Sequence, residues 1–599
     1  MSNKIIPIKY TSRDFDSIKR DLIEHAKRYY PDNFKDFNEG SFGSLMVDTV
    51  AYIGDMLSFY LDYQANESFL ETATEYNNIL KLAKQLGYKH SNAKSSSCMA
   101  TFYLAVPSIG NSVNVDYCPV LRKGSTFSTA DRTTFILTED VRFDNLNFVR
   151  VRNTVAEGRG SPLTWGIKAH GKVISGVIRT DRVAIGDYEK FRKVQLGEPN
   201  IVEILSVYDS EGNEYYEVDY LSQNVVYKSI TNKDASSSIL AKEILKPFIA
   251  PRRFTLEKEI NSTYLQFGGS SDVTLPDNKS LLADPSLAVF EMHGKNYISS
   301  DSFDPSVILN NDKFGIAPSN TELIITYRYS PRAANINFGV NSLININEPK
   351  FLFTKEMELD KTLVQQVKAS LEVNNDVAII GSVSDISIDE MRIRIKNSFA
   401  SQSRAVTAED YKSLCYSMPT KYGSIKRVNI HRDDDSAKRN LNLYVLCEDS
   451  QGKLTTANQI VKTNLKTWLN KNKMINDSID ILDGKIVNYG IKFVVVGQPG
   501  ISKYDVLSHA VEQIKMDFAN LPDFGEPFYL SKVYDSLKKV STVNDVVDIE
   551  IIPKVFGNYS NSSFDFEQNK SNDKRFIKVP INVVMELKYS NDDIKGTIL

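Results

Sequence analysis

Apolar residues change their spacing twice along the chain, near residue 92 and again near residue 385, and each spacing predicts a different architecture. From Ser12 onward Phe15, Ile18, Leu22, Ala26 and Tyr29 recur at steps of three and four, with Thr11 or Ser12 available as N-cap and Pro31 ending the pattern. That spacing predicts a first amphipathic helix. The stretch "FGSLMVDTVAYIGDMLSFYLDYQ", residues 42–64, predicts a second, and a third runs through Phe69, Leu70, Ala73, Tyr76, Ile79, Leu80, Ala83 and Leu86 to a C-cap glycine at Gly87. Past "SNAKSSSC" short apolar runs such as "ATFYLAV", "NIVEILSVYD" and "ELIITYRY" alternate with Gly, Pro, Ser and Asn, which predicts strands, with long surface loops over 270–320. Beyond residue 385 helical and strand patterns alternate: "TAEDYKSLCYS" and "TANQIVKTNLKTWLNKN" as helices, "SIKRVNIHR", "NLNLYVLCED" and "IKFVVVGQ" as strands. The order partly recurs and predicts two α+β units with sheets covered by helices. The expected fold is a multidomain α+β protein: an N-terminal helical bundle segment (1–92), a β-rich middle region with long loops (93–348), a partly helical connecting segment (349–385), C-terminal α+β domains with helix-covered sheets (386–553), and a polar tail with a terminal strand (554–599).

The second helix is unusual. On a period of 3.6 residues Ser44, Asp48, Ala51, Asp55, Ser58 and Asp62 fall on one narrow stripe, and almost everything beside it is apolar or aromatic. Surface helices usually carry an apolar arc of about a third of their circumference, whereas here it is about three quarters. A membrane span does not fit, because each aspartate near the bilayer centre costs about 2.5–3.5 kcal/mol and the flanks lack Lys or Arg anchors. Two arrangements remain: a central helix wrapped by its own domain, or one rod of an intermolecular bundle. The other two helices of the segment can cover about half of its surface. The seven-residue recurrence of Asp48, Asp55 and Asp62 leans toward a bundle in which that line stays wet or meets a basic neighbour.

Charge and composition remove several function classes. The net charge of −3 and the short, acid-interrupted basic spots "PRRFTLEK" and "KRNLN" argue against nucleic acid as a partner. Cys98, Cys118, Cys415 and Cys447 lie far apart without C-x-x-C spacing, so no zinc knuckle or redox motif is written in them, and a reducing compartment is expected. The N-terminus lacks the pattern of a secretory signal, which places synthesis and use on the cytosolic side. "HRD" at His431–Asp433 and "DFG" at Asp523–Gly525 do not make a kinase, because Lys438 stands where the magnesium-binding asparagine belongs and the two lie much farther apart in the chain than one cleft needs. Asp433, Asp434 and Asp435 read as a solvated turn between strands, and His25, His90, His170, His293, His431 and His509 are scattered singly. No catalytic residue, metal site or cofactor is nominated, and the chain is expected not to be an enzyme.

Four stretches, in order, carry a family resemblance. The run 10–89, beginning "YTSRDFDSIKRDLIEHAKRYYPDNF", resembles the N-terminal region of the baseplate wedge protein of contractile-tailed, myovirus-type bacteriophages, a family related to the baseplate J-like proteins. "LRKGSTFSTADRTTFILTEDVRF" resembles a J-like strand pair, "DKFGIAPSNTELIITYR" a stretch typical of wedge proteins, and "RAVTAEDYKSL" the signature opening the C-terminal α+β region. The resemblance implies a structural baseplate wedge subunit that dimerises within each wedge, forms a ring around the central hub and passes the host-contact signal to the sheath. Its implied partners are a second copy of itself, other wedge subunits and sheath-initiating tail proteins, in the tail baseplate of a virion assembled in the host cytoplasm. Carried onto this chain, the partner-binding bundle residues are Leu45, Val50, Ile53, Leu57, Tyr60 and Phe69, and the ring contacts fall within 386–553. The alternative is a receptor- or carbohydrate-binding tail protein, suggested by the β-rich middle, although Trp165 and Trp468 are its only tryptophans.

Overall fold

The computed structural model describes residues 14–30, 41–89, 93–110, 112–145, 148–152, 164–223, 225–231, 243–259, 262–270, 314–331, 335–433 and 440–599. The expected caps Thr11 and Ser12, Pro31, His90, His293, Asp434, Asp435 and the loops over 271–313 lie outside the described residues. The α-helices among the described residues are α1 (Phe15–Tyr29), α2 (Phe42–Glu67), α3 (Tyr76–Gln85), α4 (Lys361–Ala369), α5 (Ile388–Ser401), α6 (Ala408–Tyr416), α7 (Gln459–Asn470), α8 (Lys503–Asp517) and α9 (Leu530–Lys538). The chain divides into two compact units, one of residues 1–90 with 386–400 and one of residues 91–385 with 401–599.

The first unit is helical. Asp14 caps α1, accepting from Ser17 N at 3.3 Å, so the helix begins at Phe15 behind a carboxylate cap rather than behind Thr11 or Ser12. Helix α2 runs 26 residues from a Ser41 cap, and the third predicted helix proves shorter than its apolar pattern. Residues 68–75 form a turn, and α3 starts only at Tyr76. Gly87 ends it at φ +80, with Tyr88 N bonded to Ala83 O at 2.9 Å, a left-handed stop that glycine takes at no steric cost.

In the second unit the largest sheet has eight strands around one long antiparallel pair, Ser97–Ile109 and Thr164–Ser175, in register from Ser97 opposite Ile174 to Pro107 opposite Thr164. Alternation in "SCMATFYLAV" turns Cys98, Ala100, Phe102, Leu104 and Val106 inward onto Phe127, Phe135 and Ile167. Gly171 lies against that core, where a Cβ would stand 2.5 Å from Val141 Cγ2. The segment 349–385 is part of this layer: α4 adds Val364 and Val367 to the core, and Glu372–Asn374 pairs with the first strand. A second core, with Phe254, Phe267, Leu323, Ile325 and Tyr327, lies among the strands between residues 177 and 329.

The C-terminal region holds two sheets, each covered by helices. One contains Arg427–Arg432, Asn440–Glu448, Leu454–Thr456 and Ser478–Asp483, and packs Val428, Leu443 and Val445 against Leu414 of α6 and Leu465 of α7. The other centres on Lys485–Gly497, antiparallel to Val543–Lys554, and its Phe493 and Val495 meet Ala510 and Ile514 of α8 and Val533 of α9. Residues 554–599 belong to this second sheet. Val583–Glu586 and Ile594–Ile598 both pair in parallel with its central strand, and Phe566 and Ile577 sit in its core. The strand expected in the tail is present as Val583–Glu586, all four residues buried, but local composition gave no sign that the tail pairs into this sheet.

Candidate interaction surface

The helical unit is built around a helix that turns its large side chains outward. The stripe of small and acidic residues on α2 faces α1: Ser44 and Ala51 are buried, Lys19 Nζ lies 2.7 Å from Asp48 Oδ1, and a Cβ on Gly54 would meet Ile18 Cδ1 at 3.2 Å. Small residues let the two backbones approach, and α1 in return half-buries Phe15, Ile18 and Leu22. Of the two outcomes expected for the aspartate line, water or a basic neighbour, Asp48 meets the second, with Lys19 of α1 as that neighbour. The remaining arc of α2 carries the bulky residues. Leu45, Val50, Ile53, Leu57 and Tyr60 are 51–60 % exposed and Phe69, just past the helix, 66 %. Phe42, Tyr52, Phe59 and Leu61 are exposed as well, so this chain's described residues do not wrap α2. Thr49, the polar residue on that arc, donates its hydroxyl to Leu45 O at 2.8 Å, which leaves the arc without an open hydrogen-bonding group there.

At its C-terminal end α2 is fixed to α3 by a carboxylate. Glu67, 5 % exposed, accepts from Thr74 N and Thr74 Oγ1 at 2.7 Å each, from Glu75 N at 3.3 Å and from Asn78 Nδ2 at 3.0 Å. Glu75 gives α3 no side-chain cap; Glu67 instead holds the backbone just ahead of the helix, at Thr74 and Glu75, and the Asn78 side chain in its first turn. The Asn78 amide, together with the Thr74 donors, holds the Glu67 carboxyl down at about 2. Beside it Tyr63 OH donates to Glu75 Oε1 at 3.2 Å.

The other face of α3 is covered from far along the chain. Met391 and Ile395 of α5 complete a small core with Ala73, Ile79 and Ala83, Arg392 Nη2 donates to Ala73 O, and Lys396 Nζ pairs with Glu71 Oε1 at 2.6 Å. No helix was expected over residues 388–401, which fall within the C-terminal α+β region expected from 386 onward. Ile388, Met391 and Ile395 do carry a three-and-four spacing, but no local feature says which helix they cover.

The residues with suggestive chemistry take structural places. Arg427, on the strand that carries His431, reaches the turn of Asp523–Gly525: its Nη2 donates to Leu521 O at 2.7 Å and its Nε lies 3.6 Å from Asp523 Oδ1. The strand and the turn, far apart in the chain, are thus neighbours, joined by a brace. His170 Nδ1 is 3.2 Å from Thr101 Oγ1, which donates to Asp376 Oδ2 at 2.9 Å. Trp468 Nε1 donates to Leu414 O at 2.8 Å and the Trp165 ring is stacked by Arg152 at 5.3 Å, so neither forms a bare aromatic platform. Among the described residues no three His, Cys, Asp or Glu side chains converge as a metal site, and no helix is long and apolar enough to cross a membrane.

Comparison with known proteins points to the same segment. Residues 14–85 match the family described as the bacteriophage baseplate protein, N-terminal domain. No curated protein matches the chain. Among solved structures the chain is similar to a subunit in the cryo-electron-microscopy structure of the anti-feeding prophage baseplate, six-fold symmetrised, at 12 % identity and a TM-score of 0.24 over 69 % of this chain and 77 % of that one. It is also similar to a chain of the type VI secretion TssK-TssF-TssG baseplate subcomplex, at 8 % identity and a TM-score of 0.25 over 74 % and 96 %. Both superpositions are loose, and the weight falls on the family match, which spans α1, α2, α3 and the joint between the last two. Residues 14–85 of the chain are therefore similar to the N-terminal domain of a bacteriophage baseplate protein.

Proposed function

We propose that the chain is a structural baseplate wedge subunit of a contractile tail, and that the outward face of α2 is one rod of a helical bundle shared with other subunits. The observation that carries this is the exposure of ten or so bulky apolar side chains along 26 residues of α2, while its small residues face its own chain. An isolated subunit with such a face leaves far more contiguous apolar surface in water than monomers usually do. The arc is too wide for a single partner. One packed helix covers about a third of a helix circumference, so with α1 on the stripe the rest has room for two further helices. Leu45, Val50, Ile53, Leu57, Tyr60 and Phe69 are the contacts offered to them, a second copy of the chain and another wedge subunit being the occupants the family resemblance suggests. On the same reading the protein has no enzymatic activity, its C-terminal region contributes to a ring around the hub, and bundle and ring together relay host contact to the sheath in the virion baseplate.

Light scattering on the purified full-length chain and on Ile53→Asp and Leu57→Asp tests the bundle. The parent chain associates, alone or with its wedge partner, and each aspartate at the centre of the face weakens association by about 2–4 kcal/mol, roughly 30- to 1,000-fold in Kd. A parent chain that stays monomeric with residues 42–64 strongly protected from amide exchange would falsify the shared bundle.

A further inference from the structure

We propose that the outer edge of the strand Val543–Lys554 is closed against pairing with another strand by its own Asp545 and Asp548, so that copies of this chain do not join edge to edge. The strand runs 12 residues and pairs on one side with Lys485–Gly497. Among the described residues no strand pairs with its other side. Its sequence "VNDVVDIEIIPK" places Val546, Val547, Ile549, Ile551 and Ile552 in one short run, and Val547 is 55 % exposed. A long, apolar, unpaired edge of this kind is a template for strand addition and aggregation unless the chain blunts it.

Which amides face outward follows from the neighbour on the far side of the central strand. Ile491 N donates to Asp593 O at 2.8 Å and Val495 O accepts from Leu599 N at 3.1 Å, so the odd-numbered residues of this stretch turn their backbone groups toward Ile594–Ile598 and away from Val543–Lys554. Their opposite numbers are Val546 across from Val495, Ile549 from Phe493, Ile551 from Ile491 and Pro553 from Tyr489, and these residues therefore point their own backbone groups outward. Two of the outward amides are taken by the residue before them: Val546 N donates to Asp545 Oδ1 and Ile549 N to Asp548 Oδ1, each at 2.9 Å. Lys538 Nζ, at the end of α9, lies 2.7 Å from Asp545 Oδ1 and steadies that carboxylate in its capping position. Pro553 has no amide to offer, which leaves Ile551 as the outward donor of the run. The register also slips twice over Val543–Asp548, and such irregularities twist an edge away from a flat partner. Copies of this chain brought close together are thereby kept from pairing these edges, and contact between them is left to side-chain surfaces.

The test uses the full-length chain carrying Ile53→Asp, so that association through α2 does not mask the edge. Every comparison is made against that same chain with both aspartates intact, which keeps the outcome separate from that of the bundle test. In Asp545→Ala/Asp548→Ala, light scattering shows association at about tenfold lower concentration, the change that two newly available backbone hydrogen bonds supply. Hydrogen exchange of the same variant shows peptides of 545–552 gaining protection as the concentration rises, while 485–497 stays protected throughout. Asp545→Asn/Asp548→Asn keeps both side-chain acceptors without their charge, and behaves as the reference chain. Asp548→Ala alone gives the same comparison with a smaller change if the double variant fails to fold. The proposal is overturned if the alanine chains associate no more than the reference, if they associate without protection at 545–552, or if the asparagine chain associates as strongly as the alanine chain.

Discussion

Glu67 and Glu448 show how differently two buried carboxylates behave according to what donates to them. Glu67 is held by neutral donors at a helix start, and its carboxyl titrates at about 2 instead of 4.5. A depressed pKa stabilises the fold above the unfolded value and is lost as pH falls through the folded one. The difference in urea midpoint between the parent chain and Glu67→Gln is therefore expected to be full above about pH 5, to shrink from pH 4.5 downward, and to vanish near pH 2. Glu448 instead meets Lys426 at 3.0 Å, with both side chains out of water, and Ser384 completes its donors. Removing one charge from such a pair leaves the other stranded, so Lys426→Met is expected to destabilise the second unit by about 3–5 kcal/mol in chemical denaturation. The pair Lys19–Asp48 is partly open to solvent at 29 % and 37 %, and a double-mutant cycle there should return only about 0.2–1 kcal/mol.

At the scale of elements, the contact between α1 and α2 depends on small residues more than on charge. Gly54 is helical and leaves a Cβ just 3.2 Å from Ile18, so an added side chain must push α1 outward. Gly54→Leu is expected to strip amide protection from residues 15–29 while leaving α2 helical by circular dichroism. The existence of α1, α2 and α3 was legible in the sequence because each carries a strong three-and-four spacing. The facing of α2 was not. Hydrophobic periodicity identifies a wide apolar arc and a narrow polar stripe, and the ordinary inference turns the arc inward. Packing reversed it, since Ser44, Ala51 and Gly54 admit a neighbouring backbone more closely than Leu45 or Tyr60 do.

For the whole molecule, the four cysteines report whether the cores stay closed. Burial pushes the Cys98 and Cys447 thiols up to about 12 and Cys118 to about 11, and raises Cys415 as well, so no thiolate is present near neutral pH. A thiol reagent at pH 8 is expected to label none of the four in the folded chain and all four in denaturant; fast labelling of Cys415 or Cys447 in native buffer would mean that the helix-covered sheet opens locally. The same cores explain why boundaries drawn from composition differ from the compact units. Strand pairing across a long separation, as between Val583–Glu586 and Lys485–Asn488, leaves no mark on local composition, and the helix that completes the N-terminal unit is supplied from residue 388 onward.

By itself the sequence determined what is local: three N-terminal helices, the inward alternation of Cys98 to Val106, the left-handed stop at Gly87, and a second helix with a wide apolar arc that is too acidic for a bilayer. Periodicity and capping are set within a turn or two of the chain, and that is why they can be read directly. Only the tertiary structure decided that the aspartate stripe meets α1, that Glu67 clasps α3, that α5 returns to the helical unit and that the last strands join the second C-terminal sheet. Each of these is a pairing of surfaces distant in sequence, chosen by shape and burial among many that the same local pattern would permit.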